Sequence, residues 1–183
     1  MNRVSITFFL IILLKCGICQ PMSGTYIIGG PQGVYSDLDL AAQALQQNGM
    51  SGPVVFKVYP GTYYGSIFIT NNSISNTYAN KLTIESLSGN KDDVILTNNN
   101  QVYASSHIII IGDFANLEIR NIKFVPTGLF STCIKCGTYN NIKLIVEGCT
   151  FLSCGCTENL GEASIFARVH DTIIITGNFF NGC

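Results

Sequence analysis

Tryptophan is absent from this chain, and charge is scarce: Asp, Glu, Lys and Arg make up 11% of 183 residues, with a formal net charge of −1. No positive field is available to attract a polyanion, which removes nucleic-acid binding by charge from the candidate functions. After the first twenty residues no stretch is apolar enough to cross a bilayer, so no membrane span is expected. Only one segment has the periodicity of a helix. What the chain does have is Ile, Val, Thr, Tyr and Phe, separated by Asn, Gly and Ser. Branched and aromatic strand formers between short polar corners are the composition of an all-β repeat protein.

The repeat itself is visible in the second half. Leu117-Glu-Ile-Arg-Asn-Ile-Lys-Phe124 returns as Leu144-Ile-Val-Glu-Gly-Cys-Thr-Phe151 and again as Ile173-Ile-Ile-Thr-Gly-Asn-Phe-Phe180. The three Phe positions lie 27 and 29 residues apart. Alternation with period 2 makes each copy a strand, and the Asn/Gly step turns a corner before the Phe. Units at such a spacing bury their apolar faces only by stacking. The fold expected is all-β: a right-handed parallel β-helix with an N-terminal amphipathic capping helix, the hand being that of most parallel crossovers.

The chain divides into three regions. Residues 1–19 read as a secretory signal peptide: a positive start at Met1-Asn-Arg3, an apolar run from Val4 to Leu14, then Lys15-Cys-Gly-Ile-Cys19, with cleavage near Cys19–Gln20. Acylation of Cys16 or Cys19 is the alternative. Residues 20–50 hold a short strand and the capping helix, with Ser36 as the expected cap, Asp37 and Asp39 in the first turn, and Leu38, Ala41, Ala42 and Leu45 as one apolar stripe. Asn48-Gly49 is the stop. Calcium ligation by Asp37 and Asp39 is the competing reading. Residues 51–183 are β-helix coils: strands are expected over Val54–Val58, Ser66–Thr70, Lys81–Glu85, Val94–Thr97 and Ile108–Ile111, with a Pro-Gly turn over Tyr59–Tyr63. The chain stops just after a corner, at Asn181-Gly-Cys183. The expectation is therefore a solenoid truncated at its C-terminal side, or one whose open last coil meets another chain end to end.

Six cysteines lie beyond the leader: Cys133, Cys136, Cys149, Cys154, Cys156 and Cys183. Export permits disulfides. Their spacing also resembles a zinc knuckle. The repeat alignment places Cys136 level with the inward Ile109 and Ile165, and Cys149 at the corner position of Asn178. Coils about 4.8 Å apart lie within disulfide reach, and Cys154 and Cys183 each fall three residues after a repeat Phe, so they form the first candidate pair. No metal and no cofactor are expected.

Ser23-Gly-Thr-Tyr-Ile-Ile-Gly-Gly30, the Asp-Leu-Asp-Leu-Ala-Ala helix, Met50-Ser-Gly-Pro-Val-Val-Phe56, Pro60-Gly-Thr-Tyr63 and the segment Leu82 to Leu96 resemble the N-terminal portion of secreted right-handed parallel β-helix proteins, pectin-lyase-like and of the Bacteroidetes type. The resemblance implies the fold and secretion. It implies little about activity, since this coil carries lyases, hydrolases and adhesins alike.

Enzymes of that kind act on polysaccharides along an outward sheet face. Here the expected outward rows are Asn116/Lys143/Thr172, Glu118/Ile145/Ile174 and Arg120/Glu147/Thr176. They contain neither the carboxylate cluster of a calcium-dependent lyase nor the paired acids of an inverting hydrolase. The catalytic candidates are Arg120 with Glu147, read alternatively as a cross-strand ion pair, and the corner group Arg168, His170 and Asp171. Binding candidates are Glu158 and Glu162 in the longest insertion, and Tyr63 and Tyr64 as sugar-stacking rings among Tyr59, Tyr78 and Tyr103. Asn71-Asn-Ser73 is a glycosylation sequon, relevant in a eukaryotic host. The functions these features admit are a secreted or cell-surface module that binds carbohydrate or serves in adhesion, an N-terminal fragment of a polysaccharide lyase or glycoside hydrolase, and a structural stalk. A polysaccharide or surface glycan is the expected partner.

Overall fold

The computed structural model describes residues 20–69, 77, 79–98, 107–112, 116–127, 132–136, 143–154, 164–167 and 172–182. Strand β1 (Met22–Ile28) and helix α1 (Leu38–Asn48) come first. One coil then consists of β2 (Met50–Val58), β3 (Gly61–Tyr64) and β4 (Ile67–Ile69), and the next of β5 (Leu82–Ser86), β6 (Val94–Thr97) and β7 (His107–Ile111). Two further coils are β8 (Asn116–Arg120), β9 (Lys123–Phe124) and β10 (Thr132–Cys136), then β11 (Lys143–Glu147), β12 (Thr150–Leu152) and β13 (Ile165–Ala167). Strands β14 (Thr172–Thr176) and β15 (Phe179–Asn181) begin a fifth. Each coil gives one strand to each of three sheets. Sheet A runs β1-β2-β5-β8-β11-β14, sheet B β3-β6-β9-β12-β15, and sheet C β4-β7-β10-β13. Every pairing between these strands is parallel, which makes the protein a parallel β-helix of about four turns.

The three repeat copies stack in the register their sequences imply. Leu117, Leu144 and Ile173 align along sheet A, as do Ile119, Val146 and Ile175. Leu117, Ile119, Leu144 and Val146 are buried, together with Val54, Phe56, Leu82 and Ile84 of earlier coils. Across sheet B the repeat phenylalanines form a ladder. Phe124 stacks on Phe151 and Phe151 on Phe180, with ring centroids 4.9 Å apart in each pair and planes within 7° of parallel. The bend before each Phe needs left-handed backbone: Asn121, Gly148 and Gly177 have φ of 52°, 62° and 64°. At Gly148 a Cβ would stand 2.5 Å from Asn121 Oδ1, so packing adds to the conformational demand for glycine. Above Cys149, the Asn178 side chain ties two coils together. Its Oδ1 accepts from Cys149 N at 2.7 Å and its Nδ2 donates to Val146 O at 2.9 Å.

Helix α1 covers the β1 end with Leu38, Ala41, Ala42 and Leu45, the predicted stripe, all buried. Its cap differs from expectation. Asp37, in extended backbone, accepts from Leu40 N at 2.8 Å, while Ser36 Oγ only donates to the Asp37 carboxylate. Burial of Leu38 sets the helix phase and puts Asp37, one residue later than Ser36, at the cap. Asp39 accepts from Gln43 Nε2, so both acids of the calcium reading are engaged in the helix itself. The Pro-Gly segment also differs. The chain bends at Tyr59-Pro60 without reversing, and Gly61–Tyr64 continues as a strand paired with β6. A solenoid corner turns the chain onto the next face, so the residues after the bend form another parallel strand.

The disulfide is a correction as well. Cys154 is bonded to Cys133, not Cys183, which lies outside the described residues. The inference that bonded cysteines sit one coil apart is right, but the partner is in the preceding coil. Cys133 is the second residue of β10 on sheet C, and the chain leaving β12 reaches it, with the two Cα atoms 6.2 Å apart. The register also moves Cys136, which pairs with Ile111 and Ala167 rather than with Ile109 and Ile165. Two residues along a strand return to the same face, so Cys136 is buried as the sequence implies.

Strand β14 lies at the edge of sheet A and β15 at the edge of sheet B. Ile173, Ile175 and Phe180 occupy inward positions but are 43%, 47% and 45% exposed, because no further strand among the described residues covers them.

Candidate functional site

Alternation along sheet A turns every second residue outward, and parallel stacking lines these residues into columns. One column reads Lys57, Glu85, Arg120, Glu147, Thr176; the next reads Val55, Thr83, Glu118, Ile145, Ile174. The rows anticipated for the last three coils are the rows observed. Stacked at about 4.8 Å, the first column forms a ladder of opposite charges. Lys57 Nζ lies 3.4 Å from Glu85, and Arg120 Nε lies 3.2 Å from Glu147 Oε2. The Arg120 Nε contact is ionic only, since the N–H is not aligned to donate a hydrogen bond.

Glu118 is the centre of this face. Although it points outward it is buried, because three neighbours converge on it. Lys81 Nζ donates to both carboxylate oxygens at 3.0 Å, Arg120 NH2 lies 3.4 Å away, and Thr83 Oγ1 donates at 3.4 Å. Arg120 therefore bridges Glu118 beside it and Glu147 one coil on. Along the corner between sheets A and B a groove opens to solvent. It is lined by Glu85, Arg120, Asn121, Glu147, Gly148, Thr176 and Gly177. Its walls offer carboxylate, guanidinium, amide, hydroxyl and bare glycine backbone, a donor and acceptor set suited to hydroxyl-rich ligands.

In the ladder column the carboxylates are held by cations. Carboxylates alternate with cations along it, so no two within the column stack directly. Glu85 and Glu147 stand two coils apart, about 9.6 Å by coil spacing. A hydrolytic water would have to sit between them, where the Arg120 side chain is placed instead. Arg120 and Glu147 thus come together as an ion pair, the alternative reading of these two candidates.

Tyr63 and Tyr64 both line a shallow cleft beside the first turn of α1, with Asp37, Asp39 and Ser66. They are not equivalent. Tyr63 packs at a corner: its hydroxyl lies 2.8 Å from Tyr59 O and 3.3 Å from Ile28 O, with hydrogen-bond geometry to both. Its ring crosses Gly29, where a Cβ would meet the hydroxyl at 2.1 Å. Burial and the neighbouring Tyr59 hold this phenol above its ordinary pKa. Tyr64 is 80% exposed, so of the two it is the one with a ring face open to solvent. Glu158, Glu162, Arg168, His170 and Asp171 lie outside the described residues, as do Tyr78, Tyr103, the Asn71–Ser73 sequon and residues 1–19.

The zinc-knuckle alternative loses two ligands to the Cys133–Cys154 bond. Among the described residues, no three metal-ligating side chains gather. Cys136 and Cys149 are free, buried thiols, their pKa pushed up by burial to about 12 and about 11. They behave as core residues and not as nucleophiles. Sequence reasoning singled out neither Lys81 nor Lys57 nor Glu85. The signal was present in the strand register, which places Lys57 and Glu85 under Arg120, but those coils lack the repeat motif that made the later rows alignable.

Fold and face together define a parallel β-solenoid, helix-capped at one end, with a polar groove along one corner. Comparison with protein-family models, curated proteins and solved structures finds no match.

Proposed function

We propose that this chain is an exported β-helix module that binds carbohydrate, or mediates adhesion through it, without catalysis of its own. The observation that supports this reading is the sheet A groove, where an interleaved ladder of Glu and Lys/Arg side chains presents hydrogen-bonding groups but no free acid–base pair. Export is supported by the Cys133–Cys154 disulfide, a bond that persists in oxidising compartments, and by the leader-like pattern of residues 1–19. No helix among the described residues is long and apolar enough to cross a membrane. The kinship proposed is with secreted pectin-lyase-like β-helix proteins.

The second reading is a portion of a polysaccharide lyase or hydrolase. It draws on Arg120, a cation placed mid-groove between carboxylates. A glycan array on the purified chain, with parallel assay for unsaturated or reducing sugar ends, separates the two. Binding without product is expected. Product formation would replace the module reading with the enzymatic one, and silence in both assays would leave the stalk.

A further inference from the structure

The charge of the ladder is balanced, and an apolar strip runs in the column beside it; the two features specify a class of ligand. Glu85 is paired with Lys57, Glu147 with Arg120, and Glu118 with both Lys81 and Arg120. Three carboxylates and three cations leave no net charge from these groups, and Lys143 at the margin adds one positive charge. A polyuronate carries a negative charge on every sugar. At Lys57, Lys81 and Arg120 it would have to displace a carboxylate already bound, and it would meet Glu85 and Glu147 on the way in.

The outward column beside the ladder changes character along the solenoid. It is Thr83 and Glu118 in the middle coils but Ile145 and Ile174 in the last two, with Ile174 40% exposed. These two side chains stand one coil apart with polar rows on both sides: Asn116, Lys143 and Thr172 on one flank, Arg120, Glu147 and Thr176 on the other. An apolar strip between two polar margins complements a pyranose ring, which has a C–H face and a rim of hydroxyls. Arg120 and Glu147 stay accessible at 38% and 48% of their side-chain surface, so the rim groups they would meet are reachable without breaking the ladder.

We infer that the outer face of sheet A over β8, β11 and β14 binds a neutral polysaccharide, with sugar rings on Ile145 and Ile174 and their hydroxyls on the flanking rows. This rests on the carbohydrate reading above. The occupant is uncharged because every carboxylate in the groove already has its cation, and the surface offers shape and hydrogen bonds rather than a field.

The test is binding of the purified full chain to neutral gluco-, manno- and xylo-oligosaccharides and to oligogalacturonate. Each is measured at about 0.1 M and about 1 M salt, where the screening length falls from about 10 Å to about 3 Å. A neutral ligand bound equally at both salts is expected. Ile174→Asp, on an exposed outward position, should weaken it about tenfold or more with an unchanged melting temperature. Ile145→Ala, a milder truncation of the same strip, gives a second reading if the first variant fails to fold. Oligogalacturonate binding that fades with salt would overturn the neutral-ligand inference and keep the carbohydrate reading. Neutral binding indifferent to both variants would overturn the site. Absence of any sugar binding would overturn the inference and the carbohydrate reading together.

Discussion

The phenylalanine ladder predicts a gradient of stability along the solenoid that two substitutions can read. Phe151 is fully buried and carries a stacked ring on each face, Phe124 below and Phe180 above. Truncating it to Ala loses the whole side-chain burial and leaves a cavity, about 3–5 kcal/mol, and each lost stacking partner adds up to about 1 kcal/mol. Phe151→Ala is therefore expected to cost about 5 kcal/mol. Phe180 is the same residue type in the same column, but it has one stacked partner and is 45% exposed. Roughly half the burial and one stack put Phe180→Ala at about 2 kcal/mol. Both are measured by urea unfolding, monitored by far-UV circular dichroism and by near-UV absorbance of the tyrosines. Coincidence of the two signals justifies a single free energy, since solenoids can unfold coil by coil. Equal losses for the two variants would refute the reasoning. They would mean that the face above Phe180 is covered in solution, and the covering element would then have to be found.

Replacing Cys133 and Cys154 together by Ala opens a loop of sequence separation 21. On the chain-entropy model this lowers stability by about 3 kcal/mol, and a loss under about 1 kcal/mol in the same unfolding assay would contradict it. The free thiols give a pH dependence. Folding holds Cys136 and Cys149 protonated, raising them from 9.0 to about 12 and about 11. The unfolded chain releases those protons first, so stability is intact below about pH 9 and falls as pH rises through about 11 to 12. Since tyrosines also ionise there, the measured quantity is the difference from a Cys136→Ala/Cys149→Ala variant, and identical alkaline curves would refute the assignment. Glu118→Gln leaves Lys81 and Arg120 without their shared carboxylate. Both cations are more than a third exposed, so the cost is about 1–2 kcal/mol rather than that of a fully buried pair. A double-mutant cycle with Lys81→Met should show coupling near 1 kcal/mol, and none would show that the ion pair is not formed in solution.

Legibility varied along the chain for physical reasons. In the last coils a repeated Leu-x-Ile-x-Asn/Gly-x-x-Phe pattern fixes the register, because Phe stacking and the left-handed corner each tolerate few residues. Every outward row inferred there is the row observed. In the first two coils the corners are filled differently, by Tyr59-Pro60 and by Ser86 to Asp93, and no internal alignment places Lys57 below Glu85. The helix stripe was legible from periodicity, whereas its cap moved by one residue because two adjacent residues, Ser36 and Asp37, are both good caps and only the packing of Leu38 separates them. Disulfide pairing was not legible. Coil spacing limits a cysteine to neighbours one coil away, but Cys154 has such neighbours in both directions along the chain. Only the path of the chain to Cys133 distinguishes them.

The same alternation that made the fold readable separates what stabilises this protein from what a ligand can touch. Inward residues of each strand are held by the coils above and below, so their identities are constrained by volume and by the rise between coils. Outward residues on sheet A face solvent and each other, and they are free to change without disturbing the core. They are nonetheless not random here. Lys, Glu, Arg and Glu alternate over four successive coils, and Glu118 draws two cations from adjacent columns. Pairing of this kind removes like-charge repulsion between strands only about 4.8 Å apart, which is reason enough for its presence in the middle coils. It does not explain why the neighbouring column turns to Ile145 and Ile174, since an exposed isoleucine gains nothing from charge pairing. The junction of a neutralised ladder with an apolar strip is thus the part of the surface that charge pairing leaves unaccounted for, and it is where a ligand's contribution should be sought.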